Sequence, residues 1–173
     1  QVWGALSVLE NVQLALAAAR GQALPAATAA FRPLAQLRRD EALSALARVG
    51  LVAQAGVAAQ HLPYGARKRL ELAIALAPDP RLLLLDEPAA GLAAAERRAL
   101  MQQVRALAGG GMAILYTEHN MDAVFGVADR VLVLVEGRLL AQGDAAHVAG
   151  DAQVRERYLG RSFQLPEAGA LAP

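Results

Sequence analysis

Four consecutive leucines, Leu82 to Leu85, run straight into Asp86, Glu87 and Pro88. A strand covered on both faces reads as a continuous apolar run rather than an alternating one, and strands of that kind belong to parallel sheets flanked by helices. The run predicts a buried parallel strand, and the residues after it keep the matching rhythm. From Arg81 the order reads strand (Leu82 to Leu85), helix (Ala94 to Leu107), glycine loop (Gly109 to Gly111), strand (Ala113 to Thr117), short helix (Met121 to Val127) and strand (Val131 to Val135). Such alternation indicates an α/β fold with a mainly parallel sheet and covering helices. Glu136-Gly137 then makes a tight turn into Arg138 to Ala141, which predicts a terminal hairpin. Residues 161–173, rich in Gly, Pro and Ala, predict a loose tail.

The first third of the chain has a different period. Ser7-Val8-Leu9-Glu10 has the spacing of a capping box and Gly21 follows Arg20, so one helix is predicted between them. A loop with Pro25 and Pro33 leads to a second amphipathic run from about Leu37 to Val49, stopped by Gly50. The 173 residues suffice for one domain with a core. A net charge of +1 gives no electrostatic footprint for nucleic acid. Cysteine is absent, which excludes disulfides and thiolate metal sites and is compatible with a reducing compartment. Although 55% of the residues are hydrophobic, many are alanine. No apolar stretch reaches the ~20 residues of a membrane helix. The chain opens with Gln1, and its early small-residue stretch has no basic segment before it, a poor match to a signal peptide.

Three segments carry chemistry. In open α/β sheets ligands gather at the carboxyl ends of the strands, where Asp86 and Glu87 stand. Successive residues leaving a strand point to opposite sides. The two acids are therefore suited to separate tasks, Asp86 holding Mg²⁺ and Glu87 facing an attacking water; the plainer alternative is an acidic turn. The second segment, His61-Leu62-Pro63-Tyr64-Gly65-Ala66-Arg67-Lys68-Arg69-Leu70, predicts a helix from Ala66 with an apolar stripe at Leu70, Ala73, Ile74 and Ala77, ended by Pro78 and Pro80. Three cations in its first turn would oppose the helix dipole. An anion would resolve that conflict, since free N–H groups, a glycine and basic side chains form a phosphate cradle; a solvated basic face is the alternative. The third, Tyr116-Thr117-Glu118-His119-Asn120, ends the next strand and would bring His119 to the edge that holds the acids. There a histidine can hydrogen-bond a terminal phosphate and its attacking water, or simply cap the strand. His61 and His147 have no such company and read as surface residues.

In this order and at about this spacing the three segments resemble the ATP-binding cassette ATPases, and the likeness runs to about residue 160. By that resemblance Leu62, Pro63, Tyr64, Gly65 and Ala66 form the signature that meets the ATP of the opposite subunit. Leu82 to Asp86 is the Walker B strand, with Asp86 the Mg²⁺ ligand. Glu87 is the general base, Ala89-Ala90-Gly91-Leu92 lies at the D-loop, and His119 is the switch. The wording Ser7-Val8-Leu9-Glu10-Asn11-Val12, Leu62-Pro63-Tyr64-Gly65, Glu118-His119-Asn120-Met121-Asp122, Ala128-Asp129-Arg130 and Val154-Arg155-Glu156-Arg157-Tyr158-Leu159-Gly160 resembles the ATPase subunits of branched-chain amino-acid importers. The fold implied is the C-terminal portion of a P-loop NTPase (RecA-like) parallel sheet with helices, plus the helical subdomain of the family. Residues 1–80 would be that subdomain with its signature, residues 81–160 the C-terminal part of the core, and residues 161–173 a flexible tail.

Departures from the family pattern matter as much. A signature serine and a following glutamine are replaced by Pro63 and Ala66, and a D-loop position that is often Asp or Asn is Ala93. A P-loop needs Gly-x-x-x-x-Gly-Lys-Ser/Thr. The one lysine, Lys68, follows Arg67, so no P-loop lies in these residues. Gln1 stands too near the Ser7 box to be the family's Mg²⁺-touching glutamine. The expectation is a C-terminal two-thirds or so of a cassette ATPase, inactive alone. The resemblance further implies ATP and Mg²⁺ as cofactors, a second ATPase subunit (homo- or heterodimer), and membrane permease subunits that dock on the helical region. It places the protein in the cytoplasm, peripheral on the inner face of the plasma membrane, with no nucleic acid and no transmembrane segment of its own. Two alternatives remain: a degenerate, non-catalytic interaction subunit, suggested by Pro63, Ala66 and Ala93, and a cassette ATPase outside transport. The latter predicts coiled-coil insertions or a second cassette, neither of which the sequence shows.

Overall fold

The computed structural model describes residues 2–19, 38–160, 163 and 165. The chain separates into two compact units, Gln1–Leu84 with Gly110–Leu115, and Leu85–Gly109 with Tyr116–Pro173. Gly21, Pro25, Pro33 and Leu37 lie outside the described residues, as does most of the tail.

In the first unit α1 (Val8–Ala19) begins where the capping box predicts. The Ser7 amide and hydroxyl both donate to Glu10 Oε2 at 2.7 Å, and the Glu10 amide donates to Ser7 Oγ at 3.2 Å. Each partner thus satisfies a donor that the helix end leaves orphaned. One turn on, Asn11 is 1% exposed. Its Oδ1 accepts the Trp3 amide at 2.7 Å, and its Nδ2 donates to the carbonyls of Trp3 (3.0 Å) and Ser7 (2.9 Å). α2 (Arg39–Arg48) follows, and Gly50 at φ +68 turns the chain out of it. The next stretch folds back on the start of α1: the Val8 amide donates to the Val57 carbonyl and the Ala59 amide to the Leu6 carbonyl, both at 2.9 Å. α3 (Tyr64–Leu76) completes the unit, and the three helices pack on one another. Val8, Val12 and Leu16 of α1, Ala42 and Leu46 of α2, and Leu70, Ala73 and Leu76 of α3 form the fully buried interior.

α3 starts two residues earlier than its cation-rich sequence suggests. Pro63, extended at ψ 153, is the residue before the first turn, and the Arg67 amide donates to the Pro63 carbonyl at 3.0 Å. Arg67 closes that turn, which leaves Lys68 and Arg69 in the second. Lys68 pairs with Glu71 at 3.2 Å and lies 5.9 Å from the centre of the Tyr64 ring. The expected conflict of three cations with the helix dipole is corrected accordingly, because dipole effects fade within the first turn.

β1 (Leu82–Asp86) pairs with β2 (Ala113–Thr117). The Ala113 amide donates to the Arg81 carbonyl at 3.0 Å and the Glu87 amide to the Thr117 carbonyl at 3.1 Å. Start lies beside start and end beside end, so the pair is parallel. Coverage departs from expectation. Leu83 is 4% exposed, whereas Leu82 and Leu84 are 55% and 66% exposed, and Leu115 of β2 is exposed as well. The leucine run is buried on one face only, and the leucines of the other are more than half exposed.

In the second unit α4 (Ala94–Gly109) buries Leu100, Met101, Val104 and Leu107. α5 (Met121–Phe125) is capped by Asn120, whose Oδ1 accepts the Ala123 amide at 3.1 Å. β3 (Val131–Val135) and β4 (Arg138–Gly143) form the expected hairpin, antiparallel from Val135 opposite Arg138 to Val131 opposite Gly143, with a bulge at Val133/Leu134. Both turn residues have positive φ, +48 at Glu136 and +76 at Gly137, which matches the twist of the flanking strands. Two short helices, α6 (Ala145–Gly150) and α7 (Ala152–Val154), and a wider turn at Arg155–Leu159 close the unit. Phe125, Val131, Val148, Ala149 and Val154 form its core, and Phe163 sets its ring 5.4 Å from that of Phe125.

Candidate functional site

The carboxyl ends of β1 and β2 lie side by side, so the residues leaving them share one edge. Asp86 is the last residue of β1, and Glu87 after it takes a left-handed conformation at φ +43. A non-glycine residue there is uncommon and costs about 1 kcal/mol or more, so local bonds must hold it. The Glu87 amide donates to both the carbonyl (3.1 Å) and the hydroxyl (3.2 Å) of Thr117. The same hydroxyl donates to Asp86 Oδ1 at 2.5 Å.

The two acids thereby acquire different partners. Asp86 is bound by Thr117, while Glu87 Oε1 lies 3.5 Å from His119 Nδ1, the two side chains being 50% and 73% exposed. That distance is longer than a good hydrogen bond and leaves room to tighten. On the inner side of the turn the buried Ala89 donates its amide to Glu118 Oε1 at 3.0 Å. The Ala90 amide donates to the Glu87 carbonyl at 3.1 Å, and Gly91 at φ +76 lets the chain leave toward α4.

The base of α5 is anchored separately. The Tyr116 hydroxyl donates to the Ala123 carbonyl at 3.2 Å, and burial, reinforced by the charges of Glu118 and Asp129 and opposed by Arg105, pushes the phenol up to about 12. Arg105 of α4 donates to the Val127 carbonyl at 2.5 Å and lies 3.5 Å from Asp129.

Asp86, Glu87 and His119 come together as the spacing predicts. Thr117 and Glu118 belong to the same cluster, although sequence reasoning named them only as neighbours of His119 and assigned them no role. Their signal was slight: a hydroxyl ending an apolar strand, and an acid beside a histidine. The signature residues Leu62 to Ala66 lie in the first unit, at the start of α3. Leu62 and Ala66 are buried, at 6% and 5% exposure, while Pro63 and Tyr64 face solvent. His61 and His147 are exposed, as expected.

The donors at the sheet edge are hard oxygens, which suit Mg²⁺. Among the described residues no three His, Asp or Glu side chains converge as a metal cage. Mg²⁺ commonly takes one or two carboxylates and completes its shell from phosphates and water. A single carboxylate with one oxygen already fixed fits that habit.

The ABC transporter family model matches residues 1–90. The lipopolysaccharide export system ATP-binding protein LptB of Acidithiobacillus ferridurans is 34% identical over 138 residues, 80% of this chain and 56% of that protein. The high-affinity branched-chain amino acid transport ATP-binding protein LivG of Salmonella typhimurium is 37% identical over 136 residues, 78% of this chain and 53% of that protein. The chain spans about half the length of the curated relatives it matches. Among solved structures, the ADP conformation of MJ1267, an ATP-binding cassette of an ABC transporter, superposes with a TM-score of 0.74 at 25% identity, covering 91% of this chain and 64% of that one.

Proposed function

Because this chain belongs to the ABC transporter ATPase family, we propose that it forms part of the ATP-hydrolysing, energy-coupling subunit of an importer of branched-chain or related amino acids. The observation that carries the reading is the shared sheet edge, where Asp86 and Glu87 take separate partners and His119 stands beside the second acid. The likeness to LivG and the wording around Ser7, Leu62 and His119 support the substrate class. LptB matches nearly as well, so the family likeness alone does not choose a cargo.

Asp86 would hold Mg²⁺ on the terminal phosphates of ATP. The ion, when bound, supplies charge neutralisation on the phosphoryl oxygens. Glu87 takes a proton from water at its carboxylate. With Nδ1 turned to Glu87, His119 keeps Nε2 for a phosphate oxygen. Leu62 to Ala66 would present the first amides of α3 to ATP held by the opposite subunit, since a helix N-terminus is a ready anion site. Ala66 is turned inward, so this contact is made by backbone and by Gly65. The helical first unit would dock on permease subunits. No described helix is long and apolar enough to cross a membrane, which suits a peripheral position on the cytoplasmic face.

These 173 residues contain no Gly-x-x-x-x-Gly-Lys-Ser/Thr loop. Titration of the chain with MgATP should therefore give weak binding or none, and no turnover. A hydrolysis rate like that of an intact cassette would overturn this part of the reading. In a full-length cassette carrying these residues, Glu87→Gln should abolish turnover and spare nucleotide binding, because it removes the base and leaves the cradle. Turnover that survived would remove Glu87 from its role. A second reading, a non-catalytic interaction subunit, is favoured by the buried Ala66 in place of a polar residue. It predicts no turnover in the full-length cassette even before Glu87 is changed.

A further inference from the structure

We infer that Thr117 is a positioning residue, one that fixes the orientation of the Asp86 carboxylate and so presents its second oxygen to a divalent cation. This rests on the reading of Asp86 as a metal ligand and adds to it a residue that the family motifs do not single out.

A threonine hydroxyl has one proton to give and two lone pairs. Here the proton goes to Asp86 Oδ1, and one lone pair receives the Glu87 amide. Both bonds tie the direction of the O–H, and the acceptor carries a charge, which makes this the stronger kind of hydrogen bond. Threonine is stiff at χ1, so the hydroxyl brings little rotational freedom of its own. Its backbone is held in turn. The Thr117 carbonyl accepts the Glu87 amide, and the next residue, Glu118, grips the Ala89 amide.

Packing does not explain the hydroxyl, for Thr117 and Asp86 are both exposed. Nor does backbone satisfaction, because the Glu87 amide keeps the Thr117 carbonyl at 3.1 Å if the hydroxyl is removed. What the hydroxyl alone supplies is a fixed carboxylate. An exposed aspartate free to rotate about two torsions must give up that freedom when it binds a metal, and an aspartate already held has less to lose. Hydrogen-bond partners of metal-binding carboxylates act in this way, and removing one typically weakens metal affinity by 10-fold to 100-fold.

The test uses the ¹⁵N-labelled 173-residue chain titrated with Mn²⁺ as the probe, reading paramagnetic broadening of the amides of Asp86, Glu87 and Thr117. Thr117→Ser should match the parent chain. Thr117→Val should weaken Mn²⁺ binding about 10-fold with an unchanged circular dichroism spectrum, and Thr117→Ala makes the same comparison if the valine variant does not fold. The inference is overturned if Thr117→Val binds like the parent while Asp86→Asn abolishes binding, or if Thr117→Ser is as weak as Thr117→Val. If the parent shows no broadening at this edge, Asp86 is not preset for a cation in this chain and the inference is overturned; if broadening is present and Asp86→Asn leaves it unchanged, the metal reading of Asp86 fails and the inference fails with it.

Discussion

At the scale of single residues, the chemistry gathers where polar side chains interrupt apolar ones. Asp86, Glu87 and His119 were legible for that reason: Asp86 ends a strand, Glu87 and His119 come just after one, and parallel strands deliver their ends to one edge. Thr117 and Glu118 were not. Their contacts depend on the register between β1 and β2 and on the left-handed turn at Glu87, and neither can be read from composition or spacing. Tyr116 offers a separate check at this scale. Its folded value of about 12 lies above the ordinary 10.0, chiefly through burial. A raised value means that the folded chain holds the proton more tightly than the unfolded chain does. The resulting stability is complete below pH 10 and is lost as the pH climbs toward about 12. Ultraviolet absorbance should show a tyrosine titrating near 12 that disappears in Tyr116→Phe. Thermal melts of that variant should fall less steeply than those of the parent across the same window. An unchanged titration would mean that the phenol is not buried.

Among the elements, the sequence located the strands, the hairpin and the starts of α1, α4 and α5 closely, and it missed the start of α3. β2 and β3 fall on their predicted residues, because β-branched and apolar runs between turn signals have few other solutions. β4 runs on to Gly143, two residues past its expected end, and the bulge beside Val133 takes up one residue of the difference. α3 begins at Tyr64 because Pro63 serves as the residue before the helix, a position that the basic cluster concealed. Two substitutions probe these local rules. Ser7→Ala removes the hydroxyl that links both halves of the capping box and should cost about 1 kcal/mol, read as a lower denaturation midpoint. Glu136→Asn relieves a left-handed glutamate in the hairpin turn and should gain about 1 kcal/mol. A loss of stability in Glu136→Asn would mean that the glutamate has a compensating contact.

For the whole molecule, the most informative departure is one of coverage. A run of leucines predicts a strand shielded on both sides, yet Leu84 is 66% exposed, and in the second unit Leu134 of β3 is 61% exposed. Apolar composition records how hydrophobic a strand is; it does not record whether the covering layer is present among the residues described. Replacing Leu84 and Leu134 with threonine, which keeps strand propensity, should lower binding of a hydrophobic dye and change stability by no more than about 0.5 kcal/mol each. Losses of the size caused by emptying a core, about 2 kcal/mol or more, would show that these faces are already covered in solution. Fold class, by contrast, was legible from the alternation of elements, since a parallel pair needs a crossover and α4 provides it.

The bond between Glu118 and the Ala89 amide has a kinematic consequence. It pins the turn after Glu87 to the residue before His119, 29 positions further along the sequence. The acid and the histidine are therefore tied to one another through a hydrogen bond outside their own contact. A push on the Ala89 turn shifts both together, and their spacing is kept while the link holds.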